Sequence, residues 1–510
     1  VSSVAPLAFT TARSVDAEYR EAWQQAHVTV EREHDLRLPL LEGEWPRELR
    51  GTLYRNGPAR FERGGVRYGH LFDGDGMVAA FTFDDLGVFY RNRWVRTKER
   101  DREERQDQVV YRSFGTRPPG DWRQSLLRTR FKNAANTGVT FHAGKLLALW
   151  EGGAPHRLDP RSLDTLGREL FAGALLDRHS MGAAMFGREL PFSAHPKLDA
   201  VSGELLNFGL RPGPRPLLFL HRVLACGRLL PPARVALDGS WFVHDFALTP
   251  RWMVFVLSPV AFRTLPMVTG RLTPAEALQG DPRRPLRVLA VERRSLLRGG
   301  APKVRIAEAD DARGFAFHLA NAFDDGDEGI VLDAAWTERF PALPCPARPL
   351  PALVPPRLVR YHADLSTGRV HRVESSRSLL ELPEIDPRFQ GVEQRMTWGI
   401  GGDPGPEQRL SALVRLERGG ADRMRDFAPD IIGPPLFVPK PGAGRSAAIE
   451  GEGWLLATLY SLARRRTEIL VLDPTTLRVI ARAALPHVLP PGFHGTFVPA
   501  SPHPIEQNPS

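Results

Sequence analysis

Short apolar runs rich in Val, Leu, Phe and Trp recur along the chain, at 145–150, 203–209, 252–257, 329–333, 358–362, 410–416, 454–460 and 469–472. Their lengths suit strands better than helices. Beside several of them stands a repeating turn signal, an Asp followed within a few residues by Gly, Pro or Thr, as at Asp159, Asp199, Asp364 and Asp473. An Asp side chain caps a turn and Gly supplies positive φ, so these segments read as hairpins. Many short antiparallel strands must protect their edges, and radial repetition of small sheets does this. The expected fold class is therefore all-β, a β-propeller.

Helical signal is sparse, with candidates at 17–25, 122–132 and 274–278, and prolines concentrate in loops such as 341–356. A chain of 510 residues with 42% hydrophobic and 25% charged content can bury a large core, which excludes general disorder. Length alone favours several domains, but a closed all-β architecture can use a whole chain as one unit. The expected organisation is a single domain over 1–510: an N-terminal extension at 1–40, the propeller and its cap at 41–498, and a tail at 499–510.

Cys226 and Cys345 are the only cysteines, too few for a disulfide framework and without metal-ligand spacing. No stretch reaches the roughly 18 uninterrupted apolar residues of a membrane span, and the N-terminal stretch lacks a basic start followed by an apolar core. A cytoplasmic protein is the expectation. The net charge of +9 comes from 68 Lys and Arg scattered among 59 acids, without aromatic-interleaved basic runs, which argues against nucleic acid. It leaves open contact with anionic lipid headgroups.

Of the fifteen histidines, four share a local setting beside small or aromatic residues: His195, His244, His318 and His494. Their wide spacing rules out a local metal loop. A toroidal fold could still bring them to one axis. His142, His156, His179, His221, His362, His371 and His487 read as ordinary hydrogen-bonded histidines.

From about Leu41 to Val498 the chain resembles the carotenoid cleavage oxygenase family, most of all the bacterial apocarotenoid oxygenases that form retinal. The segments that carry the resemblance are Gly51–Pro58 (GTLYRNGP), Phe72–Met77 (FDGDGM), Ala135-Asn136-Thr137, Leu149–Gly153 (LWEGG), Ser193-Ala194-His195-Pro196, His244-Asp245-Phe246, His318 with Asn321-Ala322-Phe323, Glu381-Leu382-Pro383 and His494-Gly495. The resemblance implies a seven-bladed β-propeller with a few helices and loops capping one face. It also implies an axial Fe(II) bound by His195, His244, His318 and His494, with O2 as co-substrate. Four imidazoles would accept Zn(II) or Cu(II) as well, so iron rests on the resemblance. Asp73-Gly74-Asp75-Gly76 lacks the acidic closing residue of a calcium loop and reads as a turn.

Second ring N–H groups of metal-bound histidines usually meet carboxylates. The family uses three glutamates for this. Glu151 is expected behind His244 and Glu381 behind His318, but Pro434 stands at the third position, leaving His494 without its usual partner. Water, a backbone carbonyl, Glu450 or Glu452 are the candidate substitutes. The expected result is a weaker hold on iron than in relatives that keep the glutamate.

A conjugated polyene needs an apolar tunnel. Trp150, Phe246, Phe317, Phe323 and Phe493 are candidate lining residues because they lie close in sequence to the ligand positions. Lignostilbene-cleaving relatives carry Lys where this chain has Trp150, which favours an apolar polyene over a hydroxystilbene. The segment 260–268, with Phe262, Leu265, Met267 and Val268, lies where relatives carry an apolar patch that dips into membranes. The activity implied is cleavage of a conjugated C=C bond of a carotenoid or apocarotenal by O2 to two carbonyl products. Stilbene cleavage, retinyl-ester isomerohydrolysis, a non-catalytic carotenoid-binding propeller and a protein-interaction propeller remain alternatives.

Overall fold

The structure is a computed structural model that describes residues 14–120, 131–177, 189–213, 215–297, 301–309, 314–340, 356–404, 409–442 and 449–500. The apolar runs of the sequence fall on strands, for example Lys145–Leu149, Leu205–Arg211, Trp252–Phe262 and Gly453–Ser461. The turn aspartates cap the hairpins between them. Asp159 accepts hydrogen bonds from the backbone N–H groups of Arg161 (2.8 Å) and Ser162 (2.7 Å), and Asp473 does the same for Thr475 and Thr476.

Strands that follow one another in sequence pair antiparallel, so the chain lays down successive meanders. Gly138–His142, Lys145–Leu149, His156–Leu158 and Thr165–Arg168 form one; Lys197–Leu198, Leu205–Arg211, Leu217–Val223 and Ala233–Ala236 form the next. Further along, a parallel contact between Val304–Ala309 and Arg369–Glu384 joins meanders into a larger sheet. The two ends of the chain are tied together. The C-terminal strand His494–Pro499 pairs with Gly51–Pro58, and Leu40–Gly43 pairs with Val479–Ala484.

Each meander packs its apolar face on the next. Leu147 and Leu149 meet Leu205 and Phe219, Phe208 and Leu220 meet Phe246 and Phe255, and Val254 and Ala290 meet Leu332 and Val359. Leu358 then packs on Leu380 and Val414, and Trp398 and Leu413 on Phe437 and Leu470. Leu456 and Val471 finally reach Phe81 and Tyr90 of the N-terminal sheet, whose Val78 and Ala80 pack on Leu146 and Ala148. The series of packed faces thus returns to its start.

Helices are few. Val15–Ala26 begins at Ser14, which caps Ala17, and buries Tyr19, Ala22 and Trp23 against Ile431 and Tyr460. Pro274–Ala277 carries a Thr273–Glu276 capping box. A helix without apolar periodicity, Lys98–Gln106, escapes sequence reading; Thr97 caps it, and Arg100 and Glu103 are buried. Most of the helix expected at 122–132, most of the loop at 341–356, His179 and Cys345 lie outside the described residues.

The Asp73–Gly76 turn is held by protein groups. Asp73 accepts from Gly115 N–H (3.0 Å) and Thr116 Oγ1 (2.6 Å), and Asp75 pairs with Lys132 Nζ (2.7 Å) and Arg63 Nη2 (3.0 Å). Lys132 also holds Glu103 at 2.9 Å. These side chains are almost fully buried, so removing Lys132 takes one of two cations from the pair of carboxylates and leaves Arg63 alone to face both. Lys132→Met is expected to destabilise the fold by about 3–5 kcal/mol. A lower midpoint of urea unfolding at an unchanged m-value is the measurement.

Candidate metal centre

The four histidines stand at the starts or breaks of strands far apart in sequence, His244 and His318 in one large sheet and His195 and His494 beside or in two others. His195 precedes Lys197–Leu198, His244 lies between Trp241–Phe242 and Phe246–Leu248, and His494 opens His494–Pro499. His318 sits inside Phe315–Asp325 at a register shift between Ala316 and Leu319, the kind of irregularity that re-aims a side chain.

The structure brings all four together: one ring nitrogen from each lies within 4.8 Å of the others. His195 Nε2 and His244 Nε2 approach to 2.9 Å. His318 Nδ1 donates to Glu381 Oε2 at 2.6 Å, and His244 Nδ1 contacts Glu151 Oε1. Each carboxylate holds the proton on Nδ1, so the Nε2 lone pair faces inward. His318 Nε2 is buried and has no hydrogen-bond partner among the described residues. Burial, followed by the neighbouring imidazoles, holds His195 and His494 well below the ordinary histidine range. Burial also opposes charge on His318, but Glu381 outweighs it and the net shift is upward. Neutral lone pairs converging on one point repel unless a cation lies between them, so the donor set fits a divalent metal.

Asp245 is a carboxylate that the sequence reading left without a role. It accepts from the N–H groups of Phe246 (2.8 Å) and Leu319 (3.0 Å) and from Lys197 Nζ (2.9 Å), and its Oδ1 lies 3.7 Å from His195 Nδ1. The sequence signal for it was an acid beside one histidine and a Lys two residues after another. His494 has no carboxylate partner among the described residues. Glu450 is committed elsewhere, accepting from the N–H groups of Arg395 and Met396, and neither Glu450 nor Glu452 lines the cavity beside His494. That cavity, about 200 Å³, is bounded by Arg55, Lys197, Asp245, Glu384 and Pro434 as well as by the histidines. Burial raises Glu384 to about 7, against the opposing pull of the Phe437 N–H and Arg55.

Aromatic rings also pack around the histidines. Phe317 packs on His244 with centroids 4.1 Å apart, and Phe493 meets Phe72 at 5.5 Å. From Phe317 a ladder runs through Phe242 (5.6 Å) and Phe315 (5.8 Å) to Phe340, which packs on Phe315 at 4.9 Å. Of the rings proposed from sequence, Phe317 and Phe493 join this group. Phe246 stacks on Phe255 and borders the cavity beside the histidines, while Phe323 lies under the Arg360 guanidinium and Trp150 folds over Gly152 and Gly153. Phe72, Phe242, Phe315 and Phe340 were missed. In the 260–268 segment, Phe262 ends a strand and is half-buried, Met267 is partly covered, and Leu265 on the short helix Thr264–Val268 is 74% exposed between exposed Arg263 and Arg271. The side chain of Val268 lies outside what is described.

A mostly β scaffold with four converging imidazoles, two of them in contact with glutamates, beside an aromatic wall defines a non-haem metal protein class. The family model described as RPE65, retinal pigment epithelial membrane protein, matches residues 26–499, and the chain belongs to this family. It is 32% identical to the apocarotenoid-15,15'-oxygenase of Synechocystis, over 93% of this chain and 96% of that protein. It is 28% identical to resveratrol cleavage oxygenase 1 of Aspergillus fumigatus, over 89% of this chain and 91% of that one. Cobalt-substituted Synechocystis apocarotenoid oxygenase superposes with a TM-score of 0.82 at 31% identity, covering 94% of this chain and 99% of that structure.

The purified protein is expected to take up one divalent ion per chain, and His318→Ala to abolish uptake. Glu381→Gln is expected to weaken it by about 10- to 100-fold. Elemental analysis and chelator titration measure both.

Proposed function

We propose that this chain is a dioxygenase that cleaves a conjugated C=C bond of an apocarotenal or carotenoid with O2, giving two carbonyl products such as retinal. The observation that carries the reading is the convergence of four histidines, His195, His244, His318 and His494, beside the phenylalanine ladder. The reaction is atom-balanced without acid or base, since an alkene and O2 contain every atom of the two carbonyls. Fe(II) is the resident metal on this reading, and its redox chemistry is what would couple O2 to the alkene. The protein's own part is positional. Glu151 and Glu381 fix the tautomer and direction of His244 and His318. Phe72, Phe317 and Phe493 offer apolar faces on which a flat polyene can stack, and exclude water from the reacting bond.

Stilbene cleavage is the second reading, favoured by the similarity to a resveratrol-cleaving relative. Trp150 disfavours it, because no cation stands at that position to engage a phenol. For the scaffold, the returning series of packed faces supports seven blades in one domain, with the 1–40 extension packed on it and a tail at 499–510. Incubation with apocarotenals and resveratrol in air and under anaerobic conditions, followed by mass spectrometry, tests the activity. Oxygen-dependent aldehydes from the polyenes are expected. Products from resveratrol alone would establish the stilbene reading, and their absence from both substrates would leave only a binding protein.

The polyene is delivered from a lipid surface. Phe340 touches Gly280, Gly280 pairs with Val260, and Leu278 pairs with Phe262, so the ladder leads toward the Phe262–Leu265 patch. Leu265 and Phe262 with the adjacent arginines suit peripheral insertion at an anionic bilayer. Phe262→Asp with Leu265→Asp is expected to abolish co-sedimentation with anionic vesicles while metal content stays unchanged.

A further inference from the structure

Three of the four imidazoles face a carboxylate: Glu151 for His244, Glu381 for His318 and, at longer range, Asp245 for His195. His494 alone faces none among the described residues, and its flank opens into the cavity that Pro434 and Pro435 help to wall. A metal-bound imidazole presents its second N–H outward, and a buried donor left without an acceptor costs about 1–3 kcal/mol. The cavity must supply one.

Two carboxylates line that cavity, Asp245 and Glu384. Asp245 is already engaged by Lys197 and two backbone N–H groups. Glu384 accepts one hydrogen bond, from the Phe437 N–H at 3.0 Å, through Oε1, and no described cation pairs with it within salt-bridge distance. That bond ties Glu384 to the strand Leu436–Pro439, into which Pro434 leads. Across the cavity Arg55 is buried and its Nη2 has no partner among the described residues. Arg55 lies on the strand that pairs with the one carrying His494, directly opposite Gly495. A guanidinium with an unpartnered Nη2, a singly bonded carboxylate and an unassisted imidazole therefore share one space of about 200 Å³, enough to hold several waters.

We propose that Glu384 is the positioning residue for His494, orienting its ring through ordered water that Arg55 also anchors. The inference rests on the reading of the four histidines as a metal site. Water-bridged contacts are nearly as favourable in enthalpy as direct ones but less rigid. The device thus supplies a carboxylate from a different segment where Pro434 cannot, and holds His494 more loosely than Glu151 and Glu381 hold their partners.

The test uses the full chain loaded with Co(II), with wild type, Glu384→Gln, Glu384→Asp and the Glu384→Gln/Pro434→Glu double variant compared. Glu384→Gln is expected to lose metal about 10-fold more readily to a chelator, with a shifted Co(II) visible spectrum and an unchanged apo-protein Tm. Glu384→Asp, which keeps the charge, should retain most of the affinity, and Pro434→Glu should restore it in the Gln background. Wild-type affinity and spectrum in Glu384→Gln would overturn the inference while leaving the metal site standing. So would a fall in apo-protein Tm that accounts for the metal loss. Failure of wild type to bind any metal would overturn the metal-site reading itself.

Discussion

The pairing of His494–Pro499 with Gly51–Pro58 is the contact on which the rest of the molecule depends. It does two things with one set of backbone hydrogen bonds. The N-terminal sheet gains a strand from the far end of the chain, so that edge is closed by the molecule itself. The same register sets His494 opposite Asn56, whose Nδ2 donates to the carbonyls of Ala135 (2.9 Å) and Gly138 (2.8 Å) in the neighbouring segment. Closure and delivery of the fourth imidazole are thus one event. Because strand side chains alternate with period two, a slip of one residue would turn His494 away from the other three.

Around that point the molecule is divided. One flank of the histidines carries Phe72, Phe242, Phe315 and Phe317, the other Arg55, Lys197, Asp245 and Glu384. An apolar flank takes up a hydrocarbon and gives it no hydrogen bond. A polar flank absorbs the electrostatic cost of placing a divalent charge in the interior. On the proposed reading, the separation would let a metal centre act on a substrate that has no charge by which to be held.

How far the sequence discloses this depends on how local each signal is. The Asp159, Asp199, Asp364 and Asp473 turns are readable because the capping interactions span only two or three residues. The four histidines are readable only through the resemblance of the segments around them. The aromatic wall is largely hidden, because nearness in sequence to a ligand is not nearness in space. Phe315 and Phe317 share a face, two residues apart, but register shifts at Ala316/Leu319 and Leu319/Asn321 break the alternation, and Phe323 emerges under Arg360. Phe72 and Phe340 come from segments with no ligand nearby in sequence. Asp245 is hidden for a similar reason, since it serves the histidine of another sheet and not its neighbour His244. The helix Lys98–Gln106 carries charge on every side and shows no period to detect.

The charges near the centre form a balanced set. A divalent ion among neutral imidazoles would bring two positive charges, and Glu151 and Glu381, bonded to two of those imidazoles, bring two negative ones. Asp245 is matched by Lys197 at 2.9 Å. Glu384 is matched through space by Arg55, each shifting the other's protonation toward the charged form against burial. A further carboxylate at position 434 would add a negative charge with no cation assigned to it, and in a low-dielectric interior an unmatched charge is costly. Proline at 434 and glutamate at 384 therefore belong to one arrangement. The polar flank keeps its acid, places it opposite a buried arginine, and leaves the metal's own charge to be met by Glu151 and Glu381 alone.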